Sequence, residues 1–278
     1  MEVHSRSRRD GRVHSGHRGV LPLLDARPGG PAEHFAGRLR RRHPAAVFFA
    51  ALLAGFALLA AISIALGLLV TDVLLQTGGL AHTDESAVKS LVAERTPFLT
   101  DASEVGSTVG GAPLLPILVG AIALVCALLR QWRIAAFVVF GLVIESATYR
   151  VTSLVVPRDR PHVHRLEDLP VDASYPSGHT AAAIAVYVGI ALLITSRFHS
   201  RALRIAAWAM ALLIPVLVAL ARMYRGMHHP LDVAGGLVVG IGALLVLLLA
   251  CRAAGAAQAA RSSSATRFAP SRQAQPVA

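Results

Sequence analysis

Arg222-Met223-Tyr224-Arg225-Gly226-Met227-His228-His229-Pro230-Leu231-Asp232 is a basic, histidine-bearing stretch set between two long apolar runs, 203–221 and 231–250. Each run is close to the roughly 17–25 residues with which an α-helix crosses a bilayer. Four more runs of this kind precede them, at 45–75, 112–129, 134–156 and 180–196. The first is longer than one crossing needs. The fourth is short, as expected where a polar site replaces its outer end. Only 15% of the 278 residues are charged and 54% are hydrophobic, whereas soluble domains carry about a quarter charged residues. The pattern predicts an all-α protein: a six-transmembrane-helix bundle over 44–252, with disordered cytoplasmic tails at 1–43 and 253–278. Residues 1–43 are rich in Arg, Gly, Pro and His, and 253–278 in Ala, Ser, Gln and Arg. Such compositions suggest too little apolar surface for a core.

The net charge of +11 raises the question of nucleic acid, but its placement answers it. Residues 1–43 hold ten arginines against four acids, without aromatic platforms or zinc-ligand spacing. A basic segment beside a membrane anchor reads as one held by anionic lipid headgroups, not as a nucleic-acid binder. The same charges orient the helices, because cytoplasmic flanks favour Lys and Arg. Arg130 to Arg133, Arg197 to Arg204 and the basic termini then lie inside. The acidic loop 76–111, with an amphipathic stretch from Ser86 to Glu94, lies outside. The exceptions are the arginines of the loops at 158–165 and 222–225, which are the residues with chemistry to offer. Both termini come out cytoplasmic and the site faces outward. Cys126 and Cys251 fall at inner helix ends and are expected to be free thiols. The first apolar run lies too deep for a cleaved signal peptide and reads as a retained anchor.

Three polar segments gather at the outer edge. Pro176-Ser177-Gly178-His179 opens the fourth run, so its backbone N–H groups and the helix dipole face an incoming anion. Gly178 allows a close approach to the backbone, and Ser177 adds a hydroxyl, although a serine here also suits ordinary helix capping. In the second segment Pro230 fits the first helical position. His228 and Asp232 are four apart, so the carboxylate is expected to accept a ring N–H and leave the other nitrogen free to attack. His229 is expected to point elsewhere. The third segment, Arg158-Asp159-Arg160-Pro161, offers guanidinium forks suited to phosphate oxygens. In the sixth run, Gly236 and Gly240 form a small-residue pair suited to close helix packing.

Together these segments resemble the signature of the type 2 phosphatidic acid phosphatase superfamily, the lipid phosphate phosphatases related to vanadium haloperoxidases. That signature is Lys, six residues, Arg-Pro; then Pro-Ser-Gly-His; then Ser-Arg, five residues, His, three residues, Asp. The likeness spans about 153–232 with order and spacing intact. It implies a membrane phosphatase in which His228 is the nucleophile and Asp232 orients it. His179 would protonate the leaving group and then assist water. Arg160, Arg222, Ser177 and the Gly178 amide would hold the phosphoryl oxygens, with Pro161 completing the first motif. Neither a metal nor another cofactor is implied.

Two positions depart from the signature. Its leading lysine falls at Ser153 and its last serine at Ala221. Arg150, one helical turn before Ser153, is the expected stand-in for the lost cation, with Arg158 the other candidate. Glu145, in the third run, is expected to pair with one of these arginines. The expected partner is a membrane lipid phosphate: undecaprenyl diphosphate, phosphatidic acid or phosphatidylglycerol phosphate, with the outward site leaning towards the polyprenyl diphosphate. Two rivals remain. One is a non-catalytic lipid-phosphate binder or transporter, which the missing lysine permits. The other is a metal hydrolase using His162, His164, His228 and His229. Oligomeric state leaves no mark on the sequence.

Overall fold

A computed structural model describes residues 22–39, 42–76, 78–168 and 173–267, with side chains as far as 263. After a short 3-10 turn, helix α1 covers Pro31–Arg38. Helix α2 covers Pro44–Leu68 and continues through π-helical turns to Leu74. Then come α3 (Gly79–Ala93), α4 (Pro97–Val109), α5 (Leu114–Leu128) and α6 (Trp132–Val155). Helix α7 (Gly178–Ala183) runs through π-helical turns into α8 (Gly189–Arg197), and α9 (Arg201–Tyr224) and α10 (Pro230–Arg267) complete the fold. Among the described residues there is no strand. Six helical stretches are long and apolar enough to cross a membrane: 44–74, 97–128, 132–155, 178–197, 201–224 and 230–263. The all-α six-helix bundle of a multi-pass membrane protein is therefore observed. Each run read from the sequence lies within one of these spans or overruns its end by a single residue, at 75, 129 and 156.

Local chemistry sets the ends. Thr96 accepts a hydrogen bond from the Leu99 N–H and stands before Pro97, which starts α4, as Ser200 does for Leu203 at α9. At the far end of α9, Gly226 takes a left-handed φ of +75°, and the Gly226 and Met227 N–H groups close onto the carbonyls of Met223 and Arg222. This glycine-centred stop turns the chain sharply through His228 and His229 into Pro230. A Cβ on Gly226 would approach Val163 Cγ2 to 2.8 Å and the His164 carbonyl to 3.2 Å. The loop after α6 is thus packed directly on the stop.

Helix α10 is the central element, packing on α1, α2, α6 and α7. Its contact with α7 depends on small residues. A Cβ on Gly236 would lie 2.5 Å from the Ser177 carbonyl oxygen, and one on Gly240 2.7 Å from that of Ala181. This is the close backbone approach expected of the pair, and it fixes the first turn of α7 against the first turns of α10. The end of α6, the stop of α9 and the starts of α7 and α10 consequently lie at one end of the bundle.

Three expectations need correction. The segment 76–111, expected as an outer loop with one short helix, instead holds two helices, α3 and α4, and α4 joins α5 in the second span. Thr96 and the adjoining Pro97 supply the start signal for α4, and Pro113 lies in the turn between α4 and α5. Residues 22–39, placed in a structureless tail, are folded. Leu24, Ala32 and Ala36 are buried in the cluster that holds Ala253 and Ala257. Arg133 binds Asp25, and Arg252 donates to the Leu23 carbonyl. Residues 253–267, given to the other tail, continue α10. Alanine is the strongest helix former, and this alanine-rich stretch gives the 22–39 segment a flat surface to pack on. Residues 1–21, 40, 41 and 268–278 of the expected tails lie outside the described residues.

Gly236→Ala is expected to cost roughly 1–3 kcal/mol, since a backbone carbonyl rather than a flexible side chain must yield. Thermal melts in detergent check this against Gly120→Ala, where the new methyl meets nothing within 4 Å.

Candidate active site

His228 leaves the α9 stop with its Nδ1 2.8 Å from the Ser174 carbonyl, to which it donates. The expected bond to Asp232 is absent, as Nδ1 lies 3.9 Å from Oδ2. The spacing of four means contact only inside a helix, and His228 stands before Pro230, outside α10. Ser174 fixes the tautomer instead, and its hydroxyl donates to Asp232 Oδ2 at 2.5 Å. Asp232 acts on His228 through this intermediary. Burial, with Arg222 and Arg160 nearby and only partly offset by Asp232, holds the His228 pKa well below the ordinary histidine value. The ring is neutral at physiological pH, with Nε2 left for chemistry.

Asp232 is fully buried and gathers several donors. Arg158 Nη1 reaches Oδ1 at 2.5 Å, and the His229 backbone N–H reaches Oδ2 at 2.7 Å. The His229 ring stands between Asp232 (3.3 Å) and Glu85 (3.0 Å), so this neighbour is turned towards the site rather than away from it. Burial lowers the His229 pKa, but its bonds to Asp232 and Glu85 outweigh this and raise it. The second arm of Arg158 binds Asp84 of α3, whose other oxygen accepts the Leu231 N–H at 3.0 Å. Arg158 is therefore a buried tie between two carboxylates and not a second cation on the cavity wall.

Arg222 is fully buried at the end of α9, its Nη1 2.5 Å from Glu167 Oε2 and 2.6 Å from Ser107 Oγ. Its Nε and Nη2 have no partner among the described residues. Buried guanidinium donors left in that state fit an anionic guest. Glu167 also takes Arg225 Nε at 2.5 Å and the Ser107 hydroxyl. Burial favours its neutral form, but Arg222, Ser107 and Arg225 prevail and bring its pKa down to about 2. Arg160 spans the loop, donating to the Met227 carbonyl at 2.6 Å and the Ala173 carbonyl at 3.2 Å. Pro161 is buried beside it, its carbonyl accepting the Val163 N–H.

A cavity of about 330 Å³ opens beside these groups, among the α4–α5 turn, α6 and the start of α7. His179, His228, Gly178 and Arg150 all line it. Ser177 is fully buried behind the wall, its hydroxyl 2.9 Å from that of Thr180. A Cβ on Gly111 would lie only 2.4 Å from His179 Nε2, so this glycine leaves the imidazole reachable. Ser153, in the lysine position of the signature, is buried and donates to the Arg150 carbonyl. Among the described residues the exposed Arg150 is the one arginine on the cavity wall. Among the described residues Glu145 pairs with no arginine; Oε2 accepts the Ser146 hydroxyl at 3.0 Å and Oε1 has no partner. Among the described residues no group of three or more His, Cys, Asp or Glu stands ready to hold a metal ion. Cys126 and Cys251 are free.

Glu167, Ser174, Asp84, Glu85 and Ser107 escaped the sequence reading. Each is joined to the site by long-range contacts that leave no local spacing. Glu167, an acid between two arginine-bearing segments, carried the only available hint.

The chain matches the family model of the PAP2 superfamily over residues 118–255. It is 34% identical over 117 residues to an undecaprenyl-diphosphatase of Sulfolobus acidocaldarius, covering 40% of this chain and 52% of that one. It thus spans about half the length of that relative. It is 28% identical over 186 residues to phosphatidylglycerophosphatase B of Bacillus subtilis, covering 65% and 89%. The crystal structure of a transmembrane PAP2-type phosphatidylglycerolphosphate phosphatase from Bacillus subtilis superposes with a TM-score of 0.57 at 22% identity. That overlap covers 80% of this chain and 97% of the other. At that identity the superposition speaks for the fold.

Glu167→Gln is expected to lower stability by roughly 2–3 kcal/mol at neutral pH, somewhat under the full worth of the carboxylate's displacement because the side chain is partly exposed. A depressed folded-state pKa contributes above the unfolded value and is lost below it. Unfolding measured against pH should therefore show the gap to the parent protein closing as pH falls from 4.5 towards about 2.

Proposed function

Since this chain belongs to the PAP2 superfamily, we propose that it is a metal-independent lipid phosphate phosphatase. Its substrate is a phosphomonoester or diphosphate of a membrane lipid, of the undecaprenyl diphosphate or phosphatidic acid type. The observation that carries this reading is the pairing of His179 with a neutral His228, its Nδ1 engaged, on one cavity wall between membrane-spanning helices. A nucleophile must offer a lone pair, and an imidazole that stays unprotonated does so at physiological pH.

In the first step the Nε2 lone pair of His228 forms a bond to phosphorus while the P–O bond to the lipid breaks. His179 passes its proton to the departing oxygen, and a phosphohistidine remains. In the second step water, giving its proton to His179, attacks phosphorus; the P–N bond breaks and phosphate leaves. Arg222 offers two unengaged donors to the phosphoryl oxygens, and Arg160, the Gly178 amide and Arg150 add to the positive field. Asp232 and Ser174 hold the nucleophile, and Arg158 holds Asp232. Ser177 and Pro161 shape the loop.

The positive-inside distribution supports cytoplasmic termini, a site at the outer face and anionic headgroups as partners of the basic N-terminal segment. A lipid-phosphate binder or transporter on the same scaffold is the competing reading, and turnover separates the two.

Phosphate release from detergent-solubilised lipid phosphates is expected to continue in excess EDTA and to vanish in His228→Ala. His179→Ala should lose at least about 100-fold, the usual worth of a general acid. Wild-type protein that binds these lipids without releasing phosphate would establish the binder instead. Arg150→Ala should cut kcat/KM by about 10-fold or more, as for a charge-assisted bond of about 1.5–3 kcal/mol; normal turnover would end its role as the stand-in cation.

A further inference from the structure

The cavity that holds the two histidines extends away from them along α6, past Tyr149 and Ser146 to Glu145 and Leu142. Apart from Glu145 and Ser146 this inner part is lined by Leu115, Leu142 and Ala182. Glu145 is 1% exposed. Ser146 satisfies Oε2, while Oε1 has no partner among the described residues. Leaving a buried polar atom unmatched costs about 1–3 kcal/mol, and natural interiors seldom keep one without a use. Phosphoryl transfer to His228 gives Glu145 none, and among the described residues no arginine is bonded to it.

Its position suggests a use. Glu145 lies one turn before Tyr149, about 6 Å along the helix axis, and the Tyr149 ring sits against Gly178 at the phosphate end. A group of the lipid that meets Glu145 is therefore only a few bonds from the phosphorus. A polyprenyl diphosphate presents its second phosphate at that distance, a group of acceptor oxygens with no hydroxyl to donate, and would leave Oε1 unmatched. A glycerol-derived headgroup can carry a hydroxyl on the carbon next to the phosphate-bearing one, and a carboxyl oxygen accepts from a hydroxyl.

We propose that Glu145, steadied by Ser146, is a specificity-determining residue that accepts a hydrogen bond from such a hydroxyl, so that β-hydroxyalkyl lipid phosphates are preferred. This rests on the phosphatase reading and adds a substrate class to it. Discrimination of this kind is strong because a site built for a hydroxyl is left with an unpaired group when the hydroxyl is missing.

The test is a matched pair of substrates: 1-oleoyl lysophosphatidic acid and its analogue lacking the 2-hydroxyl, assayed by phosphate release in the same micelles. The wild-type protein is expected to favour the hydroxylated lipid by about 10-fold or more in kcat/KM, the factor that corresponds to 1.4 kcal/mol. Glu145→Leu should bring that ratio to about one, and Glu145→Gln, whose amide oxygen still accepts, should keep most of it. Because the readout is a ratio within one preparation, a poorly folded fraction cancels. A wild-type ratio near one, or a ratio untouched in Glu145→Leu, overturns the proposal and leaves the phosphatase standing. Failure of the wild type to release phosphate from either lipid overturns this proposal, and the phosphatase reading falls with it only if undecaprenyl diphosphate is also left intact.

Discussion

The Asp232 carboxylate has no contact with water, and four elements are arranged around keeping it satisfied. Arg158 comes from the loop after α6, Ser174 from the approach to α7, His229 from the α9–α10 turn, and Asp84 of α3 completes the set through Arg158 and the Leu231 N–H. Removing water from a carboxylate and a guanidinium is expensive, and their attraction repays it only when the remaining hydrogen-bonding positions are filled. Here they are filled from separate parts of the chain. The geometry of the histidines is therefore a by-product of satisfying one buried charge: the carbonyl that orients His228 belongs to the same Ser174 whose hydroxyl serves Asp232.

A second tie works alongside it. Glu167 gathers Arg222, Arg225 and Ser107, drawing the end of α9, the loop after α6 and α4 together. It engages only one nitrogen of Arg222. The other two donors stay available, so the guanidinium is held in place by its anchor while remaining able to bind an anion. Such preorganisation lets a site stabilise charge with little reorganisation.

The membrane spans and the three motif segments were legible because their information is local: runs of apolar residues, a proline at a helix start, glycines at close approaches. What stayed hidden involves partners far apart in sequence. The spacing of His228 and Asp232 suggested a direct bond, but Pro230 starts the helix between them and the periodic rule does not apply. Arg158 looked like a phosphate ligand because an arginine beside a motif does so in one dimension; Asp84, 74 residues away, makes it a strut. The alanine-rich end of α10 looked structureless by composition, although the same composition favours helix once another segment lies across it. A membrane carboxylate ordinarily pairs with a cation, yet among the described residues no arginine is bonded to Glu145.

Gly111 carries an implication for how such proteins are recognised. It belongs to none of the three signature segments, yet one added methyl there would intrude on the imidazole of residue 179. A gene copy drifting to alanine at this codon would retain every diagnostic residue and still have an obstructed His179 imidazole. Inventories that score intact motifs would count it as functional, and only the turn between the two halves of the second span would betray it. Loss of catalysis in this architecture can thus begin at a site that pattern searches never inspect.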